Sequence, residues 1–463
     1  MTVSGFADRD QIRARFSRAM SDMYKAEVPL YGTLMELVAQ INDDVLAGDA
    51  QVAQSLKQTG EIQRLDMERH GAIRVGTAAE LATLSRLFSV MGMQPVGYYD
   101  LTPAGVPVHS TAFRAVHERA LQVSPFRVFT SLLRLELINS PELRDFASDV
   151  LSQRNIFTPR ALELIEQSET DGGLSEADAQ EFVEQALETF RWHSTATVSL
   201  EQYQQLNAQH RLIADVVAFR GPHINHLTPR TLDIDAVQEG MPKKGITPKA
   251  VVEGPPRRQC PILLRQTSFK ALEEAITFIG QSSNDAGSHS ARFGEIEQRG
   301  AALTPKGREL YDQLLNEARD ALGEFPNEGN ALRYAQLLEQ TFRDFPDSHQ
   351  EMRAQNLAYF CYFPTQTGVA ASAADMNLEQ LIAAGHVHFE PLVYEDFLPV
   401  SAAGIFQSNL GDDAQSHYGT HSNQQDFERA LGRKTINELE LYADTQRRSL
   451  LECSKALGIA PLA

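Results

Sequence analysis

Two histidines and a pair of glutamates, far apart along the chain, carry the chemistry this sequence offers. His70 lies in Arg69-His-Gly-Ala-Ile-Arg74, His226 in His223-Ile-Asn-His-Leu-Thr228, and Glu295 and Glu297 in Phe293-Gly-Glu-Ile-Glu-Gln298. Two imidazoles and one carboxylate form a facial triad, which leaves three metal positions open for a bidentate ligand and dioxygen. Fe(II) suits that set, and by ligand type alone zinc and manganese suit it too. A strand sends successive side chains to opposite faces. His70, Ala72 and Arg74 therefore share a face, as do Ile224, His226 and Thr228, and His223 falls on the opposite face from His226. Glu295 and Glu297 share a face, so parity leaves both open as the third ligand.

Such residues converge only if strands bring them together. From Gln11 to about Gln63 the apolar spacing predicts helix, as in Leu34, Leu37, Val38 and Ile41. Gly71 to Gly76 then reads as a strand. Thr77-Ala-Ala-Glu80 follows as a capping box for a helix through Leu81, Leu84, Leu87 and Phe88. Gln94 to Leu101, Val106 to Phe113 and Phe126 to Leu133 complete a strand-helix-strand-strand-strand unit over residues 64–134. Residues 135–220 read as a helical insertion, opened by Ser140-Pro141 and later by Ser175-Glu-Ala-Asp178.

Residues 221–300 repeat the first order in diverged form. A strand at Gly221 to Thr228 precedes a helix near Leu232 to Glu239, and strands follow at Ala250 to Val252, Pro261 to Arg265 and Ala291 to Gln298. Residues 301–463 then read as helical, with a late strand from His386 to Leu398 and a loop at Pro399 to Gly404. Ser282 to Ser288 is the expected mobile loop. No stretch reads as a linker, so the expectation is one catalytic domain spanning 1–463.

Composition narrows the partners. The 463 residues are 42% hydrophobic and carry a net charge of -19, with no local basic block, which argues against nucleic acid. The first residues, MTVSGFADRDQIRARF, lack the apolar core of a signal peptide, and no apolar run approaches a membrane span. Cys260, Cys361 and Cys453 are scattered and odd in number, as expected of reduced thiols in a cytoplasmic protein.

Six segments in one order carry a resemblance. They are Arg69 to Arg74, Val108 to Arg114, Phe126 to Ser131, His223 to Thr228, Arg292 to Arg299 and Tyr394 to Gly404. Together they resemble the 2-oxoadipate dioxygenase/decarboxylase family of the vicinal oxygen chelate superfamily, over about residues 10 to 450. The resemblance implies an α+β fold, in which a curved sheet (a partial barrel) from two βαβββ-type units carries large helical insertions and helical termini. It implies Fe(II) held by His70, His226 and Glu295. Glu295 is favoured over Glu297 because Phe293 to Arg299 is similar to the last strand of 4-hydroxyphenylpyruvate dioxygenase, where the iron glutamate stands two residues after the phenylalanine.

The implied reaction converts 2-oxoadipate and O2 to (R)-2-hydroxyglutarate and CO2 in lysine catabolism, with no second 2-oxo acid. Arg74, about 13 Å beyond His70 on an extended strand, is the expected partner of the distal carboxylate, although half of a structural ion pair is its other reading. Val400 and Ser401 resemble positions that line the substrate pocket, while His109 and Arg114 are read as supporting or structural. The competing expectations are an iron oxygenase for another 2-oxo acid, a non-catalytic binding protein of the same fold, and a zinc-dependent isomerase or lyase.

Overall fold

The strand that begins the site is also the one that organises the sheet. In the computed structural model, which describes residues 5–270, 273–280, 287–290, 292–324, 326–370, 376–398 and 423–462, β1 spans Arg69–Val75. It runs parallel to β4 (Arg127–Leu133), with His70 opposite Arg127, and antiparallel to β5 (Leu227–Pro229), with His70 opposite Thr228. β2 (Gln94–Asp100) and β3 (Val108–Arg114) complete a five-stranded sheet of order β2-β3-β4-β1-β5. The helix Ala78–Val90 joins β1 to β2. Thr77 and Glu80 cap it reciprocally, as their spacing predicts.

The second unit departs from a strict copy of the first. β6 (Leu264–Ser268) pairs antiparallel with β9 (Glu295–Arg299), and β7 (Glu274–Ile276) pairs with β8 (Gly287–His289). An isolated parallel bridge from Arg230 to Glu297 sets β9 beside β5. β1, β5 and β9 are therefore neighbours. β1 carries His70 and β9 carries Glu295, while the strand expected at Gly221 to Thr228 shortens to β5, so His226 stands immediately before it. The strand expected at Ala250 to Val252 is absent, and Glu253 makes an isolated antiparallel bridge with Gln266 instead. Its continuation is bent at Gly254, whose φ of 102° suits glycine, and it then meets Pro255 and Pro256, which lack a ladder donor.

Alternation along β1 sorts its residues into two cores. Ile73 and Val75 pack with Phe16, Tyr24 and Leu34 of the helices α1 (Arg9–Glu27) and α2 (Pro29–Gly48). Ala72, on the His70 face, packs with Phe129, Phe397 and residues of the helical insertion such as Leu206 and Ile213. A third apolar cluster joins the helix Pro305–Leu322 to the terminal helix Glu438–Leu457 and to β10 (Phe360–Pro364). β10, which the sequence reading did not include, begins just after the helical run expected up to Tyr359 and pairs with β11 (Val387–Pro391), the shorter form of the late strand. Of the expected mobile loop Ser282 to Ser288, residues 282–286 lie outside the described residues, and Gly287 and Ser288 belong to β8. No helix among the described residues is long and apolar enough to cross a membrane.

Candidate metal centre

His70, His226 and Glu295 are buried and offer ligand atoms that all lie within 4.8 Å of one another. His70 Nε2 is 3.0 Å and His226 Nδ1 is 3.1 Å from the same carboxylate oxygen, Oε2 of Glu295. That oxygen also accepts the Thr228 hydroxyl at 2.7 Å and faces Gln266 Nε2 at 3.4 Å. Its twin Oε1 is buried, and no described residue hydrogen-bonds to it. A carboxylate oxygen left in this way and two imidazoles aimed at its neighbour form a nitrogen, nitrogen, oxygen donor set that fits a divalent cation.

The charges point the same way. Burial would raise the Glu295 carboxyl, yet His226 and His70 hold it well below the usual carboxylate range. Burial opposes charge on His70 most strongly, but Glu297 and Glu295 outweigh it and raise its pKa. Burial lowers His226 despite the pull of Glu295. The pocket is thus held anionic around its histidines, which favours a cation. Aromatic rings close its sides. Phe397 meets His70 edge-on at 4.8 Å, and Phe293 stacks on His226 at 4.9 Å.

Glu297 takes a different place from Glu295, although both side chains leave the same face of β9. Its Oε2 is 2.8 Å from His70 Nδ1, on the other edge of the ring. Arg299 grips it with two bonds of 2.8 Å. Burial raises the Glu297 carboxyl, but Arg299, His70 and Arg127 bring it down to about 2. The contact with His70 is a close approach of charge off the hydrogen-bond direction, since His70 Nδ1 has no hydrogen-bond partner among the described residues.

A lattice of buried ions extends from this point. Arg299 Nη1 donates to the carbonyls of Tyr394 and Asp396 at 2.8 and 3.1 Å. Arg127 joins Glu68 at 2.8 Å and also pairs with Glu395, which Arg64 engages from another side. Arg230 bridges Glu68 and Glu61. Four guanidinium groups thereby face four carboxylates, so the lattice is neutral. That balance is what makes so many buried charges tolerable. It leads into Tyr394–Leu398, the segment just before Val400 and Ser401, which lie outside the described residues.

The remaining predicted residues fall elsewhere. Arg74, on the His70 face of β1, is buried and donates through Nη1 to Asp215 Oδ2 at 2.6 Å. His223 faces the same Asp215 at 3.5 Å, and burial lowers its pKa to about 3. Arg114 pairs bidentately with Asp396, and His109 packs against Phe427. Asp215 and His289 have no place in the sequence reading, since nothing in their local pattern sets them apart, and Phe397 was read only as part of the Tyr394 to Gly404 segment. Glu395 and Asp396 do lie in a recognised motif, and the cue was their side-by-side charge in an otherwise apolar run.

The chain as a whole is similar to known proteins. A solved structure of hydroxyglutarate synthase from Pseudomonas putida, in complex with 2-oxoadipate, superposes with a TM-score of 0.93 at 65% identity, covering 98% of this chain and 100% of that one. Over the full length of both chains, this one is 67% identical to the 2-oxoadipate dioxygenase/decarboxylase of P. putida. It is 56% identical to that of Escherichia coli, over 96% of this chain and 98% of the relative. The sequence profile of the same family matches residues 16–409, a span that holds all three members of the buried triad. With that match and those identities, the chain belongs to the 2-oxoadipate dioxygenase/decarboxylase family.

Proposed function

We propose that this chain converts 2-oxoadipate and O2 to (R)-2-hydroxyglutarate and CO2, at an Fe(II) held by His70, His226 and Glu295. The observation that carries the reading is the buried triad with Arg74 on the same face of β1, four residues along. The reaction balances without a cosubstrate. One oxygen atom enters the new carboxylate and the other becomes the hydroxyl; loss of CO2 from the 2-oxo acid supplies two electrons and the hydroxylated C–H bond the other two.

His70, His226 and Glu295 would hold Fe(II), which would supply Lewis-acid binding of a 2-oxo acid group and the redox chemistry of dioxygen. The protein does the rest by placement. Arg74 binds the distal carboxylate, for which a planar guanidinium fork is suited. Glu297 places its charge at the Nδ1 edge of His70, and Nε2 faces the metal. Phe397 and Phe293 exclude water from the ring faces of the two histidines. Ser401 donates a hydrogen bond to the substrate, and Val400 shapes the pocket wall. Residues 64–134 and 221–300 are diverged βαβββ units of one curved sheet within a single catalytic domain. The setting is lysine breakdown in the cytoplasm.

The test is direct. Protein purified without oxygen, loaded with Fe(II) and given 2-oxoadipate and O2 is expected to release CO2 and 2-hydroxyglutarate in equal amounts. Oxygen uptake with a different 2-oxo diacid but none with 2-oxoadipate would refute the substrate. Turnover like wild type in His70→Ala would refute the metal assignment.

A further inference from the structure

Arg74 is held by a line of buried polar groups that runs from β1 into the helical insertion. Its Nη1 donates to Asp215 Oδ2 at 2.6 Å. The other oxygen of Asp215 lies 2.9 Å from His289 Nε2, and His289 Nδ1 lies 2.8 Å from the Tyr203 hydroxyl. One neutral tautomer satisfies both contacts. With its proton on Nε2, the ring donates to Asp215 and accepts from Tyr203. All four side chains are buried.

Three separate elements build this line. Asp215 comes from the helix Arg211–Val217, Tyr203 from the helix Leu200–Gln209, and His289 from β8. Trp192 stacks parallel to His289 at 6.1 Å and fixes the ring plane from its side. A buried ion pair adds little net stability over apolar packing, so this arrangement is weakly explained as a stabiliser. What a series of directed bonds does supply is a fixed orientation of the guanidinium plane.

We propose that Asp215, with His289 and Tyr203 behind it, aims Arg74 and so sets the preference for a 2-oxo acid with a carboxylate at its far end. This inference rests on the reading of Arg74 given above. The three are positioning residues, since they act through Arg74 and not on the substrate.

The experiment compares 2-oxoadipate with 2-oxohexanoate, an acid of the same length that ends in a methyl group. Binding to the Fe(II)-loaded, oxygen-free protein is measured by calorimetry. Asp215→Asn is expected to weaken 2-oxoadipate by about tenfold or more, and to leave 2-oxohexanoate unchanged. A fall for both acids in parallel, or for neither, overturns the proposal. If Asp215→Asn does not fold, His289→Gln and Tyr203→Phe decide by the same criterion, because they leave the Arg74–Asp215 charge pair intact. Arg74→Ala separates the two levels of the argument. If it leaves the preference for 2-oxoadipate intact, the reading of Arg74 fails. If it abolishes the preference while the other variants keep it, the positioning role alone fails.

Discussion

Glu297 Oε2 stands 2.8 Å from Nδ1 of His70, on the ring edge opposite the nitrogen that approaches Glu295. Two glutamates of one strand face thus take different places, one beside the imidazole nitrogen of the candidate metal site and one behind the ring. Glu297→Gln is expected to weaken Fe(II) or Co(II) binding by about 10- to 100-fold, while Glu295→Gln, like His226→Ala, removes retention of the metal. Anaerobic metal titration reads both. The reverse order of effects would exchange the two assignments.

Arg299 neutralises Glu297 and holds the carbonyls of Tyr394 and Asp396. Arg299→Gln leaves a buried carboxylate short of its counter-ion, which costs about 3–5 kcal/mol. Denaturant unfolding should register that loss. A stability equal to wild type would show that Arg127 alone compensates for the charge.

Gly71 follows His70 on β1 and packs against the backbone of His226, just before β5. A Cβ there would fall 2.5 Å from Ile224 Cδ1 and 3.2 Å from the His226 carbonyl oxygen. Gly71→Ala is expected to cost about 1–3 kcal/mol and to displace the backbone of His226, so metal affinity should fall with stability. Unchanged affinity in a destabilised variant would mean that Ile224 alone gives way.

Glu253 provides the pH test. Its Oε2 is shut off from solvent with no hydrogen-bond partner among the described residues, and burial pushes the carboxyl up to about 8, against the pull of Lys249. The folded protein therefore keeps this proton at a pH where the unfolded chain has released it. Its stabilising share is full below the ordinary glutamate range and is lost as pH rises through about 8. In metal-free protein, the melting temperature of Glu253→Gln should gain on wild type between pH 5 and pH 9. A gap that stays constant across that range would contradict the assignment.

Much of this was legible in the sequence where pattern and contact coincide. Thr77 and Glu80 announced their helix because both cap partners lie within one turn. Alternation put His223 on the other face from His226, and the structure has it facing Asp215. Parity could not separate Glu295 from Glu297, since both leave one face of β9; what separates them is which edge of His70 each one meets. Arg74 read first as a substrate partner, with half of an ion pair as its other reading. Its actual contact was not legible, because Asp215 is 141 residues away on a helix with no cue of its own. β10 was hidden because Phe360-Cys-Tyr-Phe363 follows directly on helical sequence, and its partner β11 lies beyond a further helix.

The span of the triad bears on how the protein is made. His70 and Glu295 meet across 225 residues, and Arg299 reaches on to Asp396. During synthesis the first histidine emerges long before its carboxylate exists, so a growing chain has no complete set of ligands to offer. Contacts this distant in sequence form late, after the loops between them have closed. A metal held by the proposed triad would therefore be acquired late in folding, and a chain truncated before β9 would emerge with its sheet begun and without the third side chain of the site.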